Sequence, residues 1–304
     1  MSELSVVMRP GPWEHRQVPS NGARFHVVTA GPADGDGPLV VLLHDFPQLW
    51  WAWRHQLGAL AEAGHRVAAI DLRGFGGSDK PPHGHDVPTL AADVAGVIGS
   101  LGEARAVVVG HGLGGLVAWS LPMLHPDMVS AVAVLGMPHP VAVLRLRNGL
   151  SSRAIRLLAA IQVPWFPERA LRAGDLVERV LRDGSAPGRT LDPVEVAAYR
   201  EAIALPFAAH CTLEHLRWLV RSTPRVTGRR YLADMAAPVR VPVLSVRGAR
   251  DGYFPARAFD ADAAHTATAM RVHVIPDAGH FLPEEAPEEV SDQLLDFLAT
   301  LAGA

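Results

Sequence analysis

Between Arg105 and Ser120 the chain reads RAVVVGHGLGGLVAWS: an apolar, β-branched run, a glycine-rich turn and a second apolar run. The first run suits a strand and the second a helix, and so tight a turn between them calls for glycine. A strand that is apolar at every position has both faces covered, the situation found in a parallel sheet flanked by helices. Comparable runs lie at Leu39 to Leu43, Val67 to Ile70, Ala131 to Leu135, Val241 to Val246 and Val272 to Ile275, with Ala106 to Val109 inside the segment quoted. Helices are expected between them at Trp53 to Ala63, Thr89 to Leu101, Leu113 to Leu124, Pro255 to Ala264 and Pro287 to Leu301. The pattern predicts an α/β protein with a mostly parallel central sheet.

Near Pro138 the alternation stops, and up to about Ala237 the sequence is helical in character, with arginine-rich pieces such as SSRAIRLLAAI and PERALRAGDLVERVLRDG. Strand character resumes at VRVPVLSVRG. The division expected is a core domain in two parts, 1–138 and 238–304, with a helical cap, 139–237, inserted between them. A chain of 304 residues, 49% of them apolar, can bury a core of that size. Its net charge of -3 offers no general attraction to nucleic acid. The arginines from Arg145 to Arg189 are read as a solvated helix face. The one cysteine, Cys211, precludes an internal disulfide and is read as a packing residue. The start lacks the apolar stretch of a signal peptide, and no run of about 18 apolar residues occurs, so a cytoplasmic protein with no membrane span is expected.

Four motifs stand at strand ends: HDFPQLWWAWRHQ after the first clear strand, DLRGFGGSDKP after the second, GHGLGG at the tight turn, and then an acid and a histidine in RGARDGYFP and DAGHFLPEEAPEEV. In this order they resemble the α/β-hydrolase superfamily, and within it the epoxide hydrolases and their relatives the haloalkane dehalogenases. The resemblance spans nearly the whole chain and is weakest in the cap. It implies the α/β-hydrolase fold, with Asp251 as the triad acid and His280 as the general base. A carboxylate accepting from one imidazole nitrogen fixes the tautomer and frees the other nitrogen to take a proton. The resemblance further implies an oxyanion hole from the backbone N–H groups of Phe46 and Leu113, with Trp50, Trp51 and Trp53 at the mouth of the pocket; His111 and Tyr199 are read as further pocket residues. Cofactors and metal ligands are not implied.

Three positions depart from the family pattern. Where the family carries an aspartate or serine nucleophile on the elbow, this chain has Gly112, which offers no atom for a covalent bond. The tyrosine expected in a Tyr–Arg pair late in the cap is replaced in HLRW by Leu216, before Arg217. Asp45 stands where the family's HGFP turn has glycine. An aspartate in that turn either faces solvent or caps the following helix, the commoner outcome, or enters the site as a base. An ionised carboxylate about 5 Å from a developing oxyanion opposes it by roughly 3 kcal/mol at an effective dielectric near 20.

The expected function is hydrolysis of a small apolar ester or epoxide by water that His280 and Asp251 activate, with Asp45 assisting. No covalent intermediate forms on this reading, and the vacant position at Gly112 leaves room for the water. The alternative is a pseudo-hydrolase that binds an apolar ligand or a protein partner without turnover.

Overall fold

The computed structural model describes residues 3–33, 35, 37–144 and 149–302. Eight strands form one sheet: β1 (Glu14–Ser20), β2 (Ala23–Ala30), β3 (Leu39–Leu43), β4 (Val67–Ile70), β5 (Ala106–His111), β6 (Val129–Leu135), β7 (Val243–Gly248) and β8 (Met270–Ile275). Their order is β1-β2-β4-β3-β5-β6-β7-β8, with β1 and β2 antiparallel and every pair from β4 to β8 parallel. This is the α/β-hydrolase fold expected from the motif order.

The central strands β3, β4 and β5 are buried at every residue, because helices cover both faces. Those helices include α1 (Arg54–Glu62), α2 (Val87–Ser100) and α3 (Leu113–Leu124). Between β6 and β7 come α4 (Pro140–Leu144), α5 (Ser152–Ala160), α6 (Phe166–Ala173), α7 (Asp175–Gly184), α8 (Pro193–Ala204), α9 (Ala208–Ser222) and α10 (Val226–Asp234). The chain closes with α11 (Leu282–Glu285) and α12 (Pro287–Ala302). Among the described residues, no helix is long and apolar enough to cross a membrane.

Two expectations need correction. The hairpin of β1 and β2 is absent from the strands read off the sequence, because EHRQVPS alternates exposed and buried positions and carries little apolar character. Pro255 to Ala264 is not an α-helix but two short 3₁₀ turns, Ala256–Ala258 and Asp262–His265. The buried Asp262 side chain is held by a distant segment instead, accepting the His139 N–H at 2.9 Å. Of the arginine-rich segment, Arg145 and Arg147 lie outside the described residues.

Candidate active site

Four strand ends bring the site together: the turn after β3, the elbow after β5 and the loops after β7 and β8. At the elbow, Gly112 has φ 51° and ψ -114°, a conformation that strains any residue with a side chain. Close packing explains the neighbouring glycines, since a Cβ at Gly110 would lie 2.2 Å from the Gly114 carbonyl oxygen. One at Gly114 would lie 2.2 Å from that of Leu43. The elbow is thus pressed against β3, and this contact sets the distance between the two turns.

Asp45 crosses that short gap. Its carboxylate accepts the Leu113 N–H at 2.6 Å through Oδ1 and meets His280 Nε2 at 3.0 Å through Oδ2. The side chain therefore neither faces solvent nor caps the helix that follows its own strand. It sits instead at the N-terminus of α3, where unpaired N–H groups and the helix dipole favour a negative charge. The space above Gly112 does not hold room for water either, because Asp45 fills it. A Cβ at position 112 would lie 2.0 Å from Cγ of Asp45. His44 fixes the turn: its Nδ1 donates to the Asp45 carbonyl at 2.9 Å, and its Nε2 accepts the Leu72 N–H at 3.1 Å.

On the other side of the imidazole, His280 Nδ1 meets Asp251 Oδ2 at 2.9 Å. The second oxygen of Asp251 accepts the N–H groups of Tyr253 at 2.7 Å and Phe254 at 2.9 Å, which lock the carboxylate's orientation. His280 is thus held between two buried carboxylates. Burial disfavours its charge, yet Asp251 and Asp45 more than offset that and push the imidazole up to about 10. Burial also acts against the Asp45 anion, but the bond and charge of His280 hold its carboxyl below the usual range. Both shifts favour the charged forms, an Asp45 anion beside a His280 imidazolium.

The loop carrying His280 is tied down by Glu285, a residue the sequence analysis did not single out. Its carboxylate accepts three backbone N–H groups at 2.9 Å each, from Ala186, Gly279 and Phe281. Two of these flank the imidazole, and the third lies between α7 and α8. The run PEE at the start of a helix is a weak signal for such a role, because most glutamates there are solvated.

Above Asp45 and His280 lies a cavity of about 90 Å³, lined on the core side by Phe46, Leu113, Leu116, Met137, Tyr253 and Phe254. The stretch between β6 and β7 also contributes Val143, Leu150, Ala154, Leu157, Leu158, Val180, Leu216 and Leu219. Ala154, Leu157 and Leu158 follow helical spacing within SSRAIRLLAAI, and that spacing is the signal that marks them as one face of α5. Phe46 and Leu113 both border the cavity, and the Leu113 N–H is engaged by Asp45.

Trp50, Trp51, His111 and Tyr199 do not line this cavity. Trp50 is fully buried, packs edge-on against Trp13 and Trp51, and donates to the Val7 carbonyl at 2.9 Å. The Trp51 indole donates to Glu195, and the buried Tyr199 hydroxyl donates to Glu284. His111 lies beneath His280 and bonds its carbonyl at 2.7 Å; burial pushes its imidazole down to about 4, so it is a neutral donor. The two indole N–H groups and the Tyr199 hydroxyl thus find partners inside the core or at its edge, while His111 is bonded through Nε2 alone.

The sequence model of the alpha/beta hydrolase fold family matches residues 38–287. Epoxide hydrolase A of Mycobacterium tuberculosis is 34% identical over 315 residues, covering 94% of this chain and 97% of that protein. The chain belongs to the epoxide hydrolase-like α/β hydrolases. Epoxide hydrolase 3 of Xenopus tropicalis is likewise 34% identical over 290 residues, covering 91% of this chain and 75% of the relative. Among solved structures, an epoxide hydrolase from an endophytic Streptomyces superposes with a TM-score of 0.82 at 27% identity, covering 97% of this chain and 98% of the other.

In this epoxide hydrolase-like protein the Tyr–Arg position is occupied by two residues with separate jobs. Leu216 borders the cavity with an apolar side chain. Arg217 is buried and ties α9 to its neighbours, reaching the Ile161 carbonyl at 2.7 Å and Glu168 at 2.6 Å. The phenol that does reach the cavity, Tyr253, donates to the Val180 carbonyl at 2.6 Å. Asp45, His111 and His280 have ligand atoms within 4.8 Å of one another, a spacing that suits a metal ion. Asp45 bonds Nε2 of His280, and the other nitrogen of that imidazole bonds Asp251, so two of the three members are engaged in hydrogen bonds, while Nδ1 of His111 has no hydrogen-bond partner.

Proposed function

We propose that this protein is a hydrolase acting on a small apolar substrate of the epoxide or ester class, and that residues 139–237 are the cap closing its pocket. The observation that carries the reading is the position of His280. It is oriented by Asp251 on one side and lies against a cavity whose other polar side chains are Asp45 and Tyr253. Such an imidazole can direct water at a bound substrate once its proton has been given up, an assistance worth about 10² to 10⁴ in rate. The relatives named as epoxide hydrolases support the substrate class.

Cavity size narrows the substrate further. At about 90 Å³ it is smaller than the roughly 150 Å³ that accommodates benzene in an engineered apolar cavity, so short aliphatic groups fit best. The test is hydrolysis of short aliphatic epoxides and esters by wild type and by His280→Ala. The expected result is turnover by the wild type that the variant loses. Equal rates in both would end this reading.

A second reading, an apolar-ligand binder without turnover, draws support from the side chain at position 216: the cavity carries leucine where the family's ring-opening phenol stands. Saturable binding of short apolar ligands with no product in wild type is the outcome that favours it.

A further inference from the structure

We propose that Asp45 is the covalent nucleophile, its carboxylate having taken over from the turn after β3 the place an elbow side chain would occupy. This rests on the hydrolase reading above and departs from the route without a covalent intermediate. The steric observation is decisive: a Cβ at Gly112 would lie 2.0 Å from Cγ, 2.2 Å from Oδ1 and 2.3 Å from Oδ2 of Asp45. The two side chains exclude each other. A glycine on the elbow and an aspartate on the neighbouring turn are therefore one arrangement, with the reactive group supported from a different strand.

Asp45 also has the three contacts that a nucleophilic carboxylate needs. Oδ1 lies in the grip of the Leu113 N–H, Oδ2 faces the imidazole, and the group borders the cavity. In the first step Oδ2 attacks a ring carbon of the epoxide. A carbon–oxygen bond forms to Asp45, the ring carbon–oxygen bond breaks, and its electron pair stays on the ring oxygen. With Leu216 in the usual acid's place and the Tyr253 hydroxyl committed to Val180, the proton for that alkoxide comes from Nε2 of His280, the protonated group nearest the carboxylate.

Ester formation removes the charge on Asp45, and with it one of the two carboxylates that kept the imidazole protonated. His280, now neutral, can act as a base. It takes a proton from a water whose oxygen attacks Cγ of Asp45, while the carbonyl oxygen Oδ1 remains held by the Leu113 N–H. Collapse of the tetrahedral adduct expels the product alkoxide, which leaves as the diol with the proton of the resulting carboxylic acid. The Asp45 anion and the imidazolium are restored, and the sum is epoxide plus water to diol.

The experiment is a single turnover of a short aliphatic epoxide by excess wild-type protein in water enriched in oxygen-18, followed by peptide mapping. The inference expects unlabelled diol in the first turnover and heavy oxygen in the Asp45 side chain. A labelled diol with an unlabelled enzyme overturns the covalent role while leaving the hydrolase reading in place. Neither diol nor adduct overturns both. As a second measure, His280→Gln should slow both steps, because it removes the proton donor of ring opening and the base of ester hydrolysis together. Asp45→Ala should lower kcat on the order of 10⁴-fold or more in protein that melts as a folded domain. Activity retained in that variant overturns the inference.

Discussion

The carboxylate of Asp45 and the missing side chain of Gly112 compete for one volume: a Cβ on the glycine would come within 2.0 Å of Cγ of the aspartate. Apolar atoms in contact stand about 3.5–4.0 Å apart, so the two cannot both be present without displacement. Gly112→Ala should destabilise by about 1–3 kcal/mol from crowding alone, with backbone strain of similar size at φ 51° added to it. Gly112→Asp alone should do worse and abolish turnover. With Asp45→Gly added to Gly112→Asp, the crowding disappears. The double variant should be more stable than the sum of the single changes implies, by about 0.5–3 kcal/mol in a denaturation cycle. Additive behaviour would show that the two positions do not share space.

The charge array predicts a specific pH dependence. His280 is raised to about 10 in the fold against 6.5 when free, so its contribution to stability is fully present below pH 6.5 and is lost as pH rises through about 10. Asp45 is lowered, so its contribution is present above the free carboxyl value of 3.8 and is lost in acid. His111, held down at about 4, acts in the opposite direction to His280 below pH 6.5, and for that reason the measurement must be a difference. The stability gap between wild type and His280→Gln, read from melts at several pH values, should shrink steadily from pH 6.5 to 10. A gap that widened over that range would contradict the imidazolium.

Glu285 predicts a loss of orientation without loss of a reacting group. Replacing it with alanine strands three buried N–H groups, each worth on the order of 1–3 kcal/mol when unsatisfied. Glu285→Gln keeps the shape and an acceptor oxygen and should recover part of the stability. Both should lower kcat more than they raise KM, because His280 would still be present but less well aimed. Wild-type kcat in a folded Glu285→Ala would remove the residue from the site's support.

Much of this architecture is legible in the chain. Strands such as Leu39–Leu43 and Val67–Ile70 coincide with their apolar runs because each is buried on both faces and tolerates no polar residue. The pairing of His280 with Asp251 follows from motif order. Asp45 was visible as an anomaly, but its direction was not, since that depends on how closely β3 and the elbow pack through Gly114 and Leu43. Trp50 and Trp51 misled for the opposite reason. Aromatic side chains after a strand suit a pocket wall, yet Trp13, from outside the recognised strands, packs on both and draws them into the core.

Leu216 supplies the last prediction. It borders the cavity at the position where the resemblance implies a tyrosine, and its own side chain has no proton to give. In an epoxide reaction the leaving oxygen stays attached to the product and needs a proton as the ring opens. An ester passing through the same site does not depend on a donor at that point of the cavity. Leu216→Tyr should therefore raise kcat for short epoxides by about 10-fold or more, within the range for general acid catalysis, and leave ester hydrolysis nearly unchanged. The ring takes up part of the 90 Å³, so KM should rise for the longer substrates in the series. Parallel changes for epoxides and esters would mean that the new phenol acts on pocket shape rather than on proton supply.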